Sequence, residues 1–187
     1  MEPPRLKICG VNDVSFAAEA ERCGADYIGI IFAEGSPRRV TPAQAREIVQ
    51  ALQGTARPVG VFTSATVDEI VRIAAATGIG IVQLHRRALA EDVKALKEHG
   101  LEVWALAGGA EADAMLFDSS HGDGERSLRK GGWLTVLAGG ISYRNVEEAM
   151  RSGADVIDAS GSLESSPGVK SMELLHQFIA AARKCRM

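Results

Sequence analysis

The chain of 187 residues is 46% hydrophobic and 24% charged, a globular balance with enough apolar side chain to bury a core. Its 24 acidic and 21 basic residues leave a net charge of -3, so there is no basic footprint for nucleic acid, and a small anionic ligand has to be held by local donors. No apolar run approaches the ~18 residues of a membrane span, the first ten residues lack the apolar centre of a secretory signal, and the three scattered cysteines, Cys9, Cys23 and Cys185, point to neither a disulfide framework nor a metal site but to a reducing, cytoplasmic setting.

Short apolar runs alternate with amphipathic stretches, and glycine marks the joins. Residues 6–9 read as a first strand ended by Gly10, with Asn12 or Asp13 as cap of a helix that runs through Phe16, Ala20 and Cys23 and stops at Gly24. Residues 27–32 form an apolar strand without polar alternation, the mark of a parallel sheet covered on both faces. Thr41 followed by Pro42 opens a second helix to about residue 52. A strand at 58–62, a helix at 67–76, a strand at 81–85, a helix at 89–99 and a strand at 103–106 continue the alternation. The rhythm then breaks. Only residues 107–113 separate the fifth strand from the next, at 114–117, and a parallel crossover with its helix needs about a dozen residues. The fifth helix is therefore expected to be lost or reduced to a turn, and the sixth, within 125–130, to be short. A strand at 134–138, a helix at 145–152, a strand at 156–159 and a helix at 172–184 complete the chain.

Eight strands with helices between them imply a parallel sheet, and eight units suggest closure into a (βα)₈ TIM barrel, one domain over residues 1–187, trimmed from the ~250 residues usual for that fold. An open doubly wound sheet is the alternative. The run Cys23-Gly24-Ala25-Asp26-Tyr27-Ile28 echoes Ser152-Gly153-Ala154-Asp155-Val156-Ile157, in keeping with a repeated unit.

In such a barrel the chemistry sits at the C-terminal ends of the strands. These ends deliver Cys9, the loop with Arg38 and Arg39, Gln83 and His85, Asp118, Gly139-Gly140, and Ser160-Gly161-Ser162 after Asp158. The last two glycine and serine loops combine backbone N–H groups with small side chains where barrel phosphate sites are often built. Either loop alone reads as a tight turn; together they read as a phosphate cradle. A thiolate at Cys9 can take a carbon-bound proton, and a protonated Asp118 can give one to a ring oxygen. From spacing alone the inert core thiol is the favoured reading of Cys9, while for Asp118 acid and helix cap are nearly even. Lys7 is expected to point away from Cys9 and to give it no help. Arg38 or Arg39 can clamp a carboxylate bidentately or lie on the surface. His85 reads as a substrate contact or as a satisfied polar group. Cys23 is expected in the core on a helix face, Cys185 in a basic tail, and Trp104 and Trp133 in packing.

Lys7-Ile8-Cys9-Gly10, Gly24-Ala25-Asp26, Ser36-Pro37-Arg38, Gly60-Val61-Phe62, Val82-Gln83-Leu84-His85, Leu137-Ala138-Gly139-Gly140 and Ser165-Ser166-Pro167-Gly168-Val169-Lys170 occur in the order found in phosphoribosylanthranilate isomerases, and the chain resembles that family over nearly its whole length. The resemblance implies a cofactor-free Amadori rearrangement of a phosphorylated substrate in tryptophan biosynthesis. It makes Asp118 the general acid and Cys9 the general base, gives Arg38 the anthranilate carboxylate, and gives the loops at Gly139, Gly140, Ser160, Gly161 and Ser162 the phosphate, with Gln83 and His85 as further substrate contacts. Three segments depart from the family. Where it usually has Gly-Gly-Thr/Ser-Gly-Lys, this chain reads His121-Gly122-Asp123-Gly124-Glu125. The segment Asp158-Ala159-Ser160-Gly161-Ser162-Leu163-Glu164 has Ser and Gly exchanged, and Arg86-Arg87 replaces glycine and acidic residues after His85. Isomerisation of the related histidine-pathway aminoaldose, or of both substrates, and a non-catalytic phosphate-binding barrel are the competing readings.

Overall fold

The computed structural model describes residues 2–119 and 131–185. In chain order the elements are β1 (Arg5–Cys9), α1 (Val14–Arg22), β2 (Tyr27–Ile31), α2 (Pro42–Ala51), β3 (Arg57–Phe62), α3 (Val67–Thr77), β4 (Ile81–Leu84), α4 (Ala90–Glu98), β5 (Glu102–Leu106), β6 (Ala114–Asp118), β7 (Leu134–Ala138), α5 (Val146–Met150), β8 (Val156–Ala159), β9 (Glu164–Ser166), β10 (Val169–Lys170) and α6 (Met172–Lys184). The eight strands β1 to β8 pair in sequence order, all parallel, and β8 pairs with β1 to close the barrel. The open doubly wound sheet is thereby excluded.

The helices start where local chemistry stops the chain from staying extended. Thr41 and Thr66 each accept a hydrogen bond from the third residue of the following helix, and the side chains of Gln44 and Glu69 each accept one from the cap backbone N–H. These capping boxes satisfy amide groups that a helix start otherwise leaves open. The fifth helix is absent: residues 107–113 form turns and bends, with Ala110 N–H donating to Ala88 at 2.9 Å. The loop at 121–125 and the helix expected at 125–130 lie outside the described residues.

Strand periodicity sorts side chains into two cores. One row of each strand faces into the barrel, where Tyr27, Val59, Ile81, Trp104, Leu116, Val136 and Val156 pack, with Trp104 edge-on to Tyr27 at 4.9 Å. The other row, including Leu6, Ile8, Ile28, Ile30, Val82 and Ile157, packs outward against Phe16, Ile48, Ile70, Leu96 and Phe178 of the helices. Cys23 is only partly buried, against the core expected for it, because it caps α1 instead of lying within it. No described helix is long and apolar enough to cross a membrane.

Two small elements went unread in the sequence. A single 3₁₀ turn, Gly161–Leu163, follows β8, and then β9 and β10 make an antiparallel hairpin over residues 164–170. Two- and three-residue strands are too short for a periodic signal.

Candidate active site

The inward row ends, at the C-terminal mouth of the barrel, in polar side chains. Cys9, Gln83, Asp118 and Asp158 lie at the tops of β1, β4, β6 and β8, and all are buried. They line one cavity of about 580 Å³ together with Arg38, His85, Gly139, Gly140, Ser160, Gly161 and Ser162. The ten residues to which the resemblance gives a role therefore meet in one place.

Glycines make room for Cys9 and Asp118. Gly29 sits beside Cys9 in the β1–β2 register, and a Cβ there would lie 2.7 Å from the Cys9 sulfur. A Cβ on Gly139 would lie 2.6 Å from Asp118 Oδ1. His85 places Nε2 3.8 Å from Asp118 Oδ2, so the acid has a basic neighbour. Gln83 Oε1 is buried without a hydrogen-bond partner among the described residues and opens on the same cavity.

Lys7 corrects an expectation. Residues two apart on a strand share a face, so Lys7 lies directly below Cys9 instead of pointing away. It is fully buried and donates to Asp158 Oδ2 at 2.7 Å. Burial alone would lower its pKa, but the charges of Asp158 and Cys9 overcome that and hold it above the ordinary lysine value. Burial raises the Cys9 thiol above its usual range, with Lys7 and Lys170 pulling the other way. Burial also raises the Asp158 carboxyl, opposed by Lys7.

Arg38 and Arg39 separate. Arg39 lies 3.8 Å from Glu34 Oε1 on the surface. Arg38 reaches the cavity across Gly10, whose φ of +72° and missing Cβ admit its side chain, and past Gly161, where a Cβ would meet Nη2 at 3.4 Å. The exchange of Ser and Gly at 160–161 therefore puts the smaller residue beside the guanidinium. Arg38 forks onto Glu164, Nε to Oε1 at 2.6 Å and Nη2 to Oε2 at 2.8 Å, which leaves Nη1 as the edge for a ligand. Glu164 also accepts from Lys170 Nζ and the Gly168 amide, at 2.9 and 3.1 Å.

Above β7, Gly139 and Gly140 have φ of +93° and +65°, and Asn145 Nδ2 donates to the Gly140 carbonyl at 3.1 Å. The Ser160 hydroxyl donates to the Cys9 carbonyl at 3.2 Å, and the Ser162 hydroxyl to that of Ile141. The first amides of the 3₁₀ turn, at Gly161 and Ser162, have no partner within the turn, as at any helix start. Two short amide-rich segments thus lie side by side on the cavity rim, above the adjacent strands β7 and β8.

Elsewhere, Glu19, Cys23 and His176 bring their donor atoms within 4.8 Å of one another on the outer face. Arg22 already forks onto that carboxylate at 2.6 and 2.7 Å, so the cluster reads as a seam between α1 and α6.

A closed parallel barrel whose mouth gathers a thiol, two carboxyl groups, a braced arginine and two amide-rich loops defines an acid–base enzyme of the TIM-barrel class. The comparisons with known proteins go further. The family model described as N-(5'phosphoribosyl)anthranilate (PRA) isomerase matches residues 6–181, and the chain belongs to that family. The N-(5'-phosphoribosyl)anthranilate isomerase of Rubrobacter xylanophilus is 36% identical over 203 residues, covering 96% of this chain and 98% of that one. That of Bacillus cereus is 37% identical, covering 96% and 99%. Among solved structures, the phosphoribosyl anthranilate isomerase of Thermus thermophilus superposes with a TM-score of 0.83 at 30% identity, covering 96% of this chain and 98% of that one. Another, 26% identical with a TM-score of 0.82 and covering 97% and 99%, is a phosphoribosyl anthranilate isomerase in complex with reduced 1-(o-carboxyphenylamino)-1-deoxyribulose 5-phosphate.

Proposed function

We propose that this chain catalyses the Amadori rearrangement of N-(5-phosphoribosyl)anthranilate to 1-(2-carboxyphenylamino)-1-deoxyribulose 5-phosphate, a step of tryptophan biosynthesis. The observation that carries the reading is the meeting of Cys9 and Asp118 in one cavity beside the two amide-rich loops. Asp118, as general acid, protonates the ribose ring oxygen, and the ring opens to an iminium ion. Cys9, as general base, takes the proton from C2. The resulting enaminol becomes the product ketone as C1 gains a proton and the C2 hydroxyl loses one. Each step is a proton transfer, so no cofactor is invoked.

Charge explains the remaining assignments. The cations Lys7, Lys170 and Arg38 oppose the burial that disfavours the Cys9 thiolate. Arg38 Nη1 is assigned to the anthranilate carboxylate. The amides around Gly139-Gly140 and Ser160-Gly161-Ser162 are assigned to the phosphate, with Gln83 and His85 as contacts to the sugar and to Asp118. Three free cysteines suit the cytoplasm.

Cys9→Ala and Asp118→Ala are each expected to lower kcat by roughly 10²-fold or more, the usual loss on removing a general acid or base. Steady-state assays of both folded variants check this, with the histidine-pathway aminoaldose run alongside. Wild-type rates in both variants would remove the mechanism.

A further inference from the structure

Asp158 is spoken for on one side only. Its Oδ2 takes the Lys7 ammonium at 2.7 Å, while Oδ1 is buried with no hydrogen-bond partner among the described residues. The carboxylate is 7% exposed, and what exposure it has opens on the cavity that holds Cys9. An orphaned buried carboxylate oxygen is costly unless something else satisfies it. Lys7 gives the carboxylate its counter-charge but cannot reach both oxygens in this arrangement.

Geometry narrows what the missing partner is. Asp158 is the β8 register partner of Lys7, and Lys7 lies two residues below Cys9 on the same face of β1. The Lys7 ammonium donates to the Asp158 carboxylate, and Cys9 and Asp158 line the same cavity. Asp158 therefore stands beside the sulfur. Whatever carbon the sulfur addresses carries its substituents into reach of Oδ1. An ionised carboxylate accepts hydrogen bonds only, so the partner is a donor. Cations do not fit, since Lys7 already neutralises the group, and a phosphate or carboxylate would be repelled.

Resting on the reading given under Proposed function, we infer that Asp158 Oδ1 accepts a hydrogen bond from the C2 hydroxyl of the sugar, the hydroxyl on the carbon that Cys9 deprotonates. As Cys9 removes the C2 proton, that hydroxyl changes from an alcohol to the more acidic enol. The hydrogen bond strengthens as the reaction proceeds, which favours the transition state over the bound substrate. Asp158 thus belongs to the catalytic set with Cys9 and Asp118, and Lys7 keeps it ionised at the depth where it sits.

The test is a binding cycle with two probes, reduced 1-(o-carboxyphenylamino)-1-deoxyribulose 5-phosphate and its counterpart lacking the C2 hydroxyl, measured by calorimetry on the wild type and on Asp158→Asn. Hydrogen bonds to charged groups set the expected size: loss of the hydroxyl weakens wild-type binding roughly 10- to 100-fold and weakens Asp158→Asn binding by less than about 3-fold. The Asp158→Asn change should also lower kcat more than it raises KM. An analogue lacking the C3 hydroxyl is the control and should lose the same factor in both proteins. Because Asp158→Asn leaves Lys7 buried and unpaired, the double variant Lys7→Met, Asp158→Asn is run beside it. Equal losses in wild type and variants, or wild-type binding that ignores the C2 hydroxyl, overturn the inference, the latter without any variant. A wild type that neither binds the parent probe nor turns over N-(5-phosphoribosyl)anthranilate overturns the underlying functional reading instead.

Discussion

At the scale of single residues, the site depends on atoms that are missing. Gly139 has φ +93°, and a Cβ there would lie 2.4 Å from Ser119 Oγ and 2.6 Å from Asp118 Oδ1. Gly140 has φ +65° with open space where its Cβ would be. Both positions are strained for any other residue, by roughly 1–2 kcal/mol, but only the first displaces the acid. Gly139→Ala is expected to fold and to lose roughly 10²-fold in kcat, the cost of a misplacement of about 1 Å. Gly140→Ala should instead raise KM, since it touches the proposed phosphate loop and leaves Asp118 in place. Kinetics on the two variants separate them, and equal kcat losses would mean that backbone strain, not the displaced carboxyl, sets the rate. The strand-end residues were legible because a barrel puts its chemistry where strands stop: Cys9 and Asp118 end β1 and β6, and Gln83 and His85 flank the last residue of β4. Lys7 was legible in principle, since period-two geometry puts it on the face of Cys9, and the error lay in treating a neighbour at two residues as a neighbour at one. Asp158 carried no signal of its own, because an orphan oxygen is visible only once its surroundings are fixed.

At the scale of elements, the echo between residues 23–28 and 152–157 has a physical content. Asp26, Asp113 and Asp155 each precede an even-numbered strand at the closed end of the barrel. Their Oδ2 atoms accept from Leu6 N at 2.7 Å, Val103 N at 2.8 Å and Thr135 N at 2.7 Å. Their carbonyls accept from Arg57, Leu134 and Arg5 N, each at 2.9 Å. Each aspartate therefore ties the strand before it and the strand after it to its own. At the fourth equivalent position Gly80 offers only its carbonyl, to Glu102 N at 2.9 Å. Asp155→Ala strands the Thr135 amide and is expected to cost about 1–3 kcal/mol in urea unfolding, with kcat unchanged because the latch lies at the far end of the strand from the site. Asp155→Asn keeps an acceptor and should cost less. A fall in kcat matching the fall in stability would contradict this division between the two ends. The regular strands and helices were readable from apolar period and capping residues, and the missing fifth helix from a seven-residue gap too short to hold one. The β9–β10 hairpin was not, because its place is set by Arg38 and Asn12 from elsewhere in the chain and not by an apolar period within it.

At the scale of the whole molecule, that hairpin is the seam across the mouth where the barrel closes. Arg38 reaches it from the β2–α2 loop through Glu164, and Asn12 from the β1–α1 loop through the Gly168 carbonyl at 3.0 Å. Gly168, at φ +82°, sits where a Cβ would come within 2.5 Å of the Pro37 carbonyl, so the motif Ser165-Ser166-Pro167-Gly168 is a docking requirement more than a ligand site. The seam hangs on Glu164. Burial would raise its carboxyl, but Arg38, Lys170 and the Gly168 amide outweigh that and hold its pKa at about 2, against an ordinary value of 4.5. A carboxyl whose folded pKa lies below its unfolded one stabilises the fold fully above the unfolded value, and the contribution is lost as pH falls through the folded value. The seam should therefore be at full strength above pH 4.5 and weaken from there towards about 2. Glu19, held at about 2 first by Arg22 and then by His176, titrates in the same window on the outer face, so the wild type alone does not isolate the effect. The comparison with Glu164→Gln does. Between pH 5 and 2 the urea midpoint of the wild type is expected to fall more steeply than that of Glu164→Gln, and at pH 7 the variant should show a raised KM, because Arg38 loses the carboxylate that aims it into the cavity. Parallel pH slopes in the two proteins would show that Glu164 is not what the acid reaches first, and an unchanged KM would show that Arg38 holds its place without it.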